Sequence, residues 1–283
     1  MTQAGVTATS PWVPHRRRAD ALRVRYPFAA EVLTLYLALL DVWEETWREA
    51  RDQPPQAGEL AGWAAARVVP RIVEVTARAG PQPLAAATRS LADEHSPAEP
   101  LAAWLAGEAI PPVQCYLARA SLRAPLEARD ATPARDPSPQ QARSCPRCGG
   151  PPQLSFRAHS DDGLVSGHRH LVCARCWASW SYAASACAAC GETAGARRTV
   201  YAEQREGPVV GRGDPGASAE GDRPLFPHLR IEGCQNCSHY LIDVDLGRDP
   251  RAVPEVDELA ALPLDLYAAE RGLTKITPNL MGF

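Results

Sequence analysis

The sequence lacks any apolar run long enough to cross a membrane. Its longest apolar stretch, residues 32–40, is interrupted by Thr34 and followed by Asp41, whereas a spanning helix needs about 20 apolar residues. The basic run at residues 15–18 is followed by further charged residues and not by the apolar segment of an export signal. We therefore expect a cytoplasmic protein with no membrane insertion.

An excess of positive charge is also missing. The formal net charge is −3, and the region 145–250 holds 11 Arg and no Lys against 12 Asp plus Glu, a net charge of −1. Binding to nucleic acid depends on a local basic excess that neutralises phosphates. This charge balance disfavours a nucleic-acid-binding role for the region, and we expect no nucleic-acid partner.

The common signatures of an active site are absent as well. The sequence contains no Ser-His-Asp order, no Walker loop and no dinucleotide fingerprint. An ordinary active site is therefore not visible in the sequence. Cysteine, with 9 of 283 residues, is too sparse for a disulfide scaffold. Disulfides are thus not expected to hold this fold together.

The first half of the chain has the patterns of an all-helical domain. Apolar residues recur at steps of three and four after Pro27, and similar segments follow as far as residue 129. Pro70 lies inside the second of these segments and predicts a kink or a split. We place a flexible arm at residues 1–25, the helical domain at 26–130 and a Pro- and Ser-rich linker at 131–144.

From Cys145 onward the sequence favours short strands and a terminal helix. The predicted fold class is multidomain α plus small β, with two tandem rubredoxin-like or zinc-ribbon-like metal modules at 145–183 and 184–250. A C-terminal helix and tail follow at 251–283, with Pro263 expected to bend the helix. The predicted strands are 153–156, 170–172, 178–182, 199–201, 229–231 and 240–244.

Eight of the nine cysteines form four Cys-x-x-Cys pairs. Such spacing lets a tight turn present two thiolates to one ion, and a glycine after the turn, as at Gly149 and Gly191, supplies a left-handed backbone conformation. Four pairs within 93 residues indicate metal binding and not a thiol redox motif. The candidate ligands are Cys145, Cys148, Cys173, Cys176, Cys187, Cys190, Cys234 and Cys237.

Loop lengths suggest how the four pairs combine. The first and second pairs are separated by 24 residues, the second and third by 10, and the third and fourth by 43. We favour joining the first pair with the second and the third with the fourth, because 10 residues suffice only to connect two modules. An interleaved arrangement, first with third and second with fourth, stays open. So does the choice between iron and zinc, because four thiolates suit both ions.

The other candidate residues favour structural explanations. Cys115 lies in a helical segment and is interpreted as a buried, unreactive thiol. Four histidines near the cysteine pairs are candidates for contacts that orient metal ligands, but we favour ordinary loop and surface positions for them. These histidines are His159, His168, His170 and His239.

Taken together, the order of these parts resembles the formate dehydrogenase accessory protein family, FdhE, over nearly the whole chain. The resemblance rests on the four cysteine motifs and on the tail from Val256 to Asn279, and the motifs read CPRCGGPP from Cys145, RHLVCARC from Arg169, CAACG from Cys187 and CQNCSHYL from Cys234. Residues 207–223 and the Ala- and Pro-rich helical domain depart from the family pattern.

The resemblance implies a cytoplasmic accessory factor, not an enzyme, that is needed for assembly of active formate dehydrogenase. It implies binding to the catalytic subunit of that enzyme and two four-cysteine sites, one ion each, with iron favoured and zinc as the other choice. The alternative hypothesis is a rubredoxin-like electron-transfer protein. Whether the chain forms a homo-oligomer stays open at this point.

Overall fold

The computed structural model of the protein describes residues 11–94, 96–129, 143–158, 167–203 and 224–282. Its first half contains seven α-helices: α1 Val13–Arg25, α2 Ala30–Asp52, α3 Leu60–Arg67, α4 Val69–Ala79, α5 Gln82–Glu94, α6 Ala98–Ala106 and α7 Pro112–Ala128. Among the helices in these ranges, none is long and apolar enough to cross a membrane.

Helices α2 and α7 form the centre of the helical part. The apolar face of α2 is buried, and the indole of Trp43 donates a hydrogen bond to the carbonyl of Ala120 in α7 at 2.7 Å. The split predicted at Pro70 is confirmed, because α3 ends at Arg67 and α4 begins at Val69. Proline lacks the N–H group that a continuous helix would need there.

Helix α1 corrects the prediction of a flexible arm at residues 1–25. Residues 13–25 are helical, and residues 1–10 lie outside the described ranges. The helix buries Arg18, Ala19 and Leu22, and Arg18 bonds to Asp257, 239 residues away. The sequence does not reveal this helix because its buried face includes a charge, which becomes favourable only beside a distant carboxylate.

The second half contains one mixed sheet. Its strands are β1 Pro152–Arg157, β2 Arg169–Cys173, β3 Ser179–Ser181, β4 Arg198–Tyr201, β5 Leu229–Cys234, β6 His239–Asp245 and β7 Thr274–Lys275. The order is β3-β2-β1-β6-β5-β4, and β7 pairs with β6. All six predicted strands are confirmed, whereas β7, with two residues, carries too little pattern to predict.

The two cysteine-bearing halves of the sheet meet at a parallel pair of strands. Strand β1 pairs with β6 through Ser155 and Asp243, and the neighbouring pairs β1–β2 and β5–β6 are antiparallel. The predicted class, N-terminal helices followed by a β region with two four-cysteine groups and C-terminal helices, is confirmed. The two groups share one sheet.

Charged side chains lie buried in the middle of this sheet. Glu232 on β5 and Asp243 on β6 are 6% and 0% exposed, and burial raises the pKa of both carboxyl groups. Arg157 contacts both carboxylates, and Arg169 pairs with Glu232. Each buried carboxylate therefore has a guanidinium partner, as a charge in a low-dielectric interior requires.

Two short helices close the structure. They are α8 Pro254–Ala260 and α9 Leu262–Glu270, with the break next to Pro263 where a bend was predicted. Three acidic residues of α8 are buried, and each has a basic partner in another part of the fold: Glu255 with Arg123, Asp257 with Arg18, and Glu258 with Lys275. Helix α8 thus joins the helical part to the sheet.

Candidate metal centres

The first two cysteine pairs come together as one cluster of four sulfurs. The Sγ atoms of Cys145 and Cys176 are 3.6 Å apart, and those of Cys148 and Cys173 are 3.4 Å apart. All four sulfurs lie within 4.8 Å of one another. A tetrahedral ion with metal–sulfur bonds of about 2.3 Å separates its sulfurs by about 3.8 Å. The donor set therefore fits one tetrahedral ion.

The third and fourth pairs form the second cluster in the same way. The Sγ–Sγ distances are 3.8 Å for Cys187 and Cys237 and 3.8 Å for Cys190 and Cys234. The favoured combination of pairs, first with second and third with fourth, is the one that the structure contains, and the interleaved arrangement is not formed. Both clusters have the size and ligand number of a four-thiolate site.

Each of the four turns places a left-handed residue directly after its second cysteine. Gly149 and Gly191 have φ of 70° and 80°, as their residue type predicted, while Trp177 and Ser238 have φ of 59° and 56°. In three of the turns the N–H of this residue donates to the carbonyl of the first cysteine, at 2.8 to 3.2 Å. The turns therefore share one geometry although only two of them contain glycine.

Backbone N–H groups point at the sulfurs of the first cluster. The amides of Arg175 and Cys176 lie 3.3 and 3.5 Å from Cys173 Sγ and donate to it. Such donors stabilise a thiolate, since hydrogen bonds to an ionised acceptor favour its charged form. Hydrogen bonds among the neighbouring thiols, together with burial, raise the pKa of the Cys173 thiol, and these two amides act against that rise.

In the second cluster, Cys190 is the sulfur with the clearest tendency to ionise. Burial opposes ionisation of this thiol, but hydrogen bonds from the Glu192 backbone and from the Asn236 side chain prevail and lower its pKa to about 6. The Asn236 amide lies 3.7 Å from Cys190 Sγ. A thiol of this pKa is largely ionised at neutral pH and ready to bind a cation.

Gly150 is required by the close packing around the first cluster. A Cβ atom at this position would lie 2.8 Å from Cys173 Sγ and 3.2 Å from Cys148 Sγ. Any larger residue would push apart sulfurs that belong to the same cluster. The sequence predicted a role for Gly149 but gave no reason to single out Gly150, whose neighbour Cys173 is 23 positions away.

The first cluster is attached to the helical part by stacked side chains. The guanidinium of Arg123 in α7 lies 4.4 Å from the ring centre of Trp43 and 4.4 Å from that of Trp177, the residue that follows Cys176. Arg123 is 3% exposed. Sequence reasoning missed this residue, because an arginine in a helix carries no sign that it will stack between two distant tryptophans.

The weaker candidates do not join the clusters. Within the described ranges, the groups able to hold an ion consist of cysteines alone. Cys115 is half-buried in α7, where burial raises the pKa of its thiol. His239 bonds to the carbonyl of Cys237, and the ring of His170 stacks on Phe156. The carbonyl of His168 accepts a hydrogen bond from the amide of Ala158. The prediction for His159 falls outside the described residues.

The half-buried ligands of the two clusters face a common cavity. It has a volume of about 900 Å³ and is lined by Cys148 of the first cluster and by Cys190 and Cys237 of the second. The other five cluster cysteines are buried. Arg143 and Arg175 also line this cavity. A partner or small molecule in it would therefore approach both clusters at once.

Comparisons with known proteins point to a single family. A family model described as FdhE, C-terminal domain, matches residues 218–281. FdhE homologues from Aquifex aeolicus and Pseudomonas aeruginosa are 30% and 31% identical over 139 and 137 residues, which are 49% and 48% of this chain. These stretches cover 41% and 38% of the two relatives, so the chain spans about two fifths of the curated relatives that it matches.

A solved structure extends the likeness to the whole fold. The crystal structure of the FdhE protein from Pseudomonas aeruginosa superposes with a TM-score of 0.68 at 20% identity, covering 98% of this chain and 97% of the other. The cysteine clusters, the family model, the curated relatives and the shared fold agree with one another. The chain is therefore similar to FdhE proteins, in sequence over its C-terminal part and in fold over nearly its whole length.

Proposed function

We propose that the protein is an accessory factor for the assembly of formate dehydrogenase. In this role it binds the catalytic subunit of that enzyme and holds two metal ions, with iron favoured, in its two four-cysteine clusters. The observation that carries the proposal is the pair of tetrahedral sulfur clusters within an FdhE fold. Catalytic turnover is not part of the proposed role.

The donor chemistry of both clusters supports metal binding. Four thiols within 4.8 Å of one another would repel if all were ionised, and a cation removes that repulsion. The first cluster would hold its ion through Cys145, Cys148, Cys173 and Cys176, and the second through Cys187, Cys190, Cys234 and Cys237. Iron in such sites supplies one-electron chemistry, whereas zinc supplies only structural stability.

Metal analysis with an absorption spectrum, on protein purified without oxygen, tests this part of the proposal. We expect two irons per chain and thiolate-to-iron bands that bleach on reduction. Cys176→Ser and Cys190→Ser should each lower the content to one ion per chain. Cys115→Ser is the matched control and should leave two. Two zincs and no colour would overturn the assignment of iron, and no bound metal would overturn the sites themselves.

Binding to the catalytic subunit needs a separate measurement. The purified apo catalytic subunit of formate dehydrogenase from the same organism, titrated with the full chain, should form a complex with a dissociation constant in the micromolar range or below. Absence of a complex, with metal-loaded and with metal-free protein, would overturn the accessory role while leaving the metal sites intact.

One observation favours a second candidate function, electron transfer. Because the half-buried cysteines of both clusters face one cavity, a redox partner there would approach both ions. An electron carrier should cycle its iron reversibly and reduce a partner protein. An accessory factor should bind the apo catalytic subunit whether or not its iron changes oxidation state. Comparing subunit binding by the oxidised and the reduced protein distinguishes the two functions.

A further inference from the structure

Strand β3 is an open edge of the sheet. It pairs with β2 on one side, and the sheet order places no described strand on its other side. The amide of Cys173 donates to the Ala178 carbonyl, and the amide of Tyr182 donates to the Arg169 carbonyl, both at 3.0 Å. Because hydrogen-bonding direction alternates along an antiparallel strand, residues 178, 180 and 182 face β2.

The two remaining residues of β3 therefore direct their backbone groups away from the sheet. These residues are Ser179 and Ser181, and both are exposed. Each presents one N–H and one C=O toward the open side. An edge of this kind is a template for an added strand from another chain. Both side chains are small, and no described strand lies against them.

A large cavity lies beside this edge. It has a volume of about 870 Å³ and is lined by Ser179 and Ser181 on the sheet side and by His15 and Trp47 on the helical side. Phe156 adds apolar surface from β1. A space of this size is typical of ligand-binding clefts. Phe156, Ser179 and Ser181 lie on one face of the sheet, so the cleft lies over that face and can take side chains of a strand added at the edge.

The cleft also contains the positive charge of Arg147, which interacts with the Glu127 carboxylate of the same cavity without forming a direct ion pair. Arg147, between the first two cysteines, lines the cavity and donates to the carbonyls of Leu126 and Arg129 at 3.4 and 3.0 Å. Arg123 in the same cavity is already paired with Glu255. Within the described ranges, no ion pair within 4 Å involves Arg147. Its charge is complementary to an acidic side chain of a bound segment.

We propose that an extended segment of the client protein, carrying an acidic residue, adds to β3 as a further strand. The client is the catalytic subunit of formate dehydrogenase, so this inference rests on the proposed function. The segment bonds to the outward groups of Ser179 and Ser181, places alternate side chains in the cleft, and brings its carboxylate to Arg147. Backbone pairing gives affinity, and the cleft gives selectivity.

A proline scan of the two open edges tests the proposal. Ser181→Pro removes one outward N–H without removing a bond to β2, and edge strands tolerate proline at such positions. The matched control is Val200→Pro on β4, the other edge strand, where the Gln235 amide bonds to the Arg197 carbonyl and residues 198 and 200 therefore face outward. Arg147→Gln tests the charge.

We expect Ser181→Pro and Arg147→Gln to weaken binding of the apo catalytic subunit by about tenfold or more, whereas Val200→Pro leaves it unchanged. Equal affinity of all three variants and the parent chain overturns strand addition at β3 while the accessory role stands. A parent chain that does not bind the subunit overturns both. Metal content and melting temperature verify that each variant is folded.

Hydrogen exchange on the unaltered protein gives an answer even if a proline variant misfolds. The amides of Ser179 and Ser181 should exchange rapidly in the free chain and slowly in the complex, while that of Val200 stays unchanged. Rapid exchange at both serines in the complex would contradict the proposal. Slow exchange already in the free chain would also overturn it, since the edge would then be covered by the chain itself.

Discussion

Arg123 and Glu255 form a buried ion pair between α7 and α8, with both guanidinium NH groups donating to the carboxylate across 132 residues of sequence. Their side chains are 3% and 8% exposed. The same guanidinium lies between Trp43 of the helical part and Trp177 of the first cluster. One side chain therefore joins the helical part, a metal-site turn and the C-terminal helices.

The first prediction concerns this junction. Arg123→Met should lower the free energy of unfolding by about 3 to 5 kcal/mol, because it leaves the buried Glu255 carboxylate without its partner. Urea unfolding measures the change. Arg48→Met is the matched control, since the Arg48–Glu44 pair is exposed and worth less than about 0.5 kcal/mol. Equal losses in the two variants would show that the Arg123 junction carries no special stability.

The second prediction concerns Gly150. Gly150→Ala should reduce the metal content from two ions to one per chain, because the added methyl group would lie 2.8 Å from Cys173 Sγ. Gly195→Ala is the control, since a Cβ there meets no atom within 4 Å. Metal analysis of the two purified variants provides the measurement. Two ions bound to Gly150→Ala would mean that the first cluster has room to adjust.

The third prediction concerns the left-handed conformation of Ser238. Ser238→Gly should stabilise the protein by about 0.5 to 1 kcal/mol. An L-residue with positive φ costs about 1 to 2 kcal/mol, and the greater conformational entropy of glycine in the unfolded state offsets part of the gain from removing that cost. The comparison variant is Trp177→Gly, which also relieves a positive φ but loses the contact with Arg123. Trp177→Gly should therefore be destabilising in the same thermal unfolding assay.

The fourth prediction concerns pH. Burial, with a smaller contribution from Arg123, lowers the pKa of His15 to about 3. The folded state thus disfavours the protonated ring. The free energy of unfolding is therefore highest above pH 6.5, where the ring is neutral in both states, and it decreases as pH falls toward 3 because the unfolded chain binds the proton first. At pH 5.5 the loss should be about 1 kcal/mol relative to pH 7.5.

His15→Gln isolates this effect, because glutamine does not titrate and keeps a polar group near the Tyr36 hydroxyl, which lies 2.8 Å from His15 Nδ1. Unfolding free energies of the parent chain and the variant are measured between pH 5.5 and 7.5. The parent chain should lose more stability on acidification. Parallel pH profiles would exclude His15 as a source of acid sensitivity.

The fifth prediction concerns the attachment of α1. Arg18 donates to Asp257 at 2.9 Å and to Asp249 at 2.9 Å, and Asp257 is 1% exposed. Arg18→Met should leave that carboxylate with His228 as its remaining side-chain partner and release α1 from α8. Hydrogen exchange of residues 13–25 should speed up. Arg23→Met, on the exposed side of α1, should leave exchange unchanged.

The sequence by itself determined most of the secondary structure and the candidate metal ligands. Apolar periodicity and proline positions located helices α2 to α9, including the breaks at Pro70 and Pro263, and alternation located six strands. Cys-x-x-Cys spacing, with the loop lengths between pairs, identified which cysteines come together. These features depend on neighbours a few residues away or on the length of a connecting segment, and both can be obtained from the sequence alone.

Only the tertiary structure decided how these parts join. The helix at residues 13–25, the position of Arg123 between two tryptophans, and the need for Gly150 each depend on a partner at least 23 positions away. The acidic residues of α8 also depend on distant partners. Their charges are stabilised in the interior by ion pairs with Arg18, Arg123 and Lys275, which belong to other elements. A buried charge is favourable only next to its counter-charge, and three-dimensional packing alone supplies that neighbour.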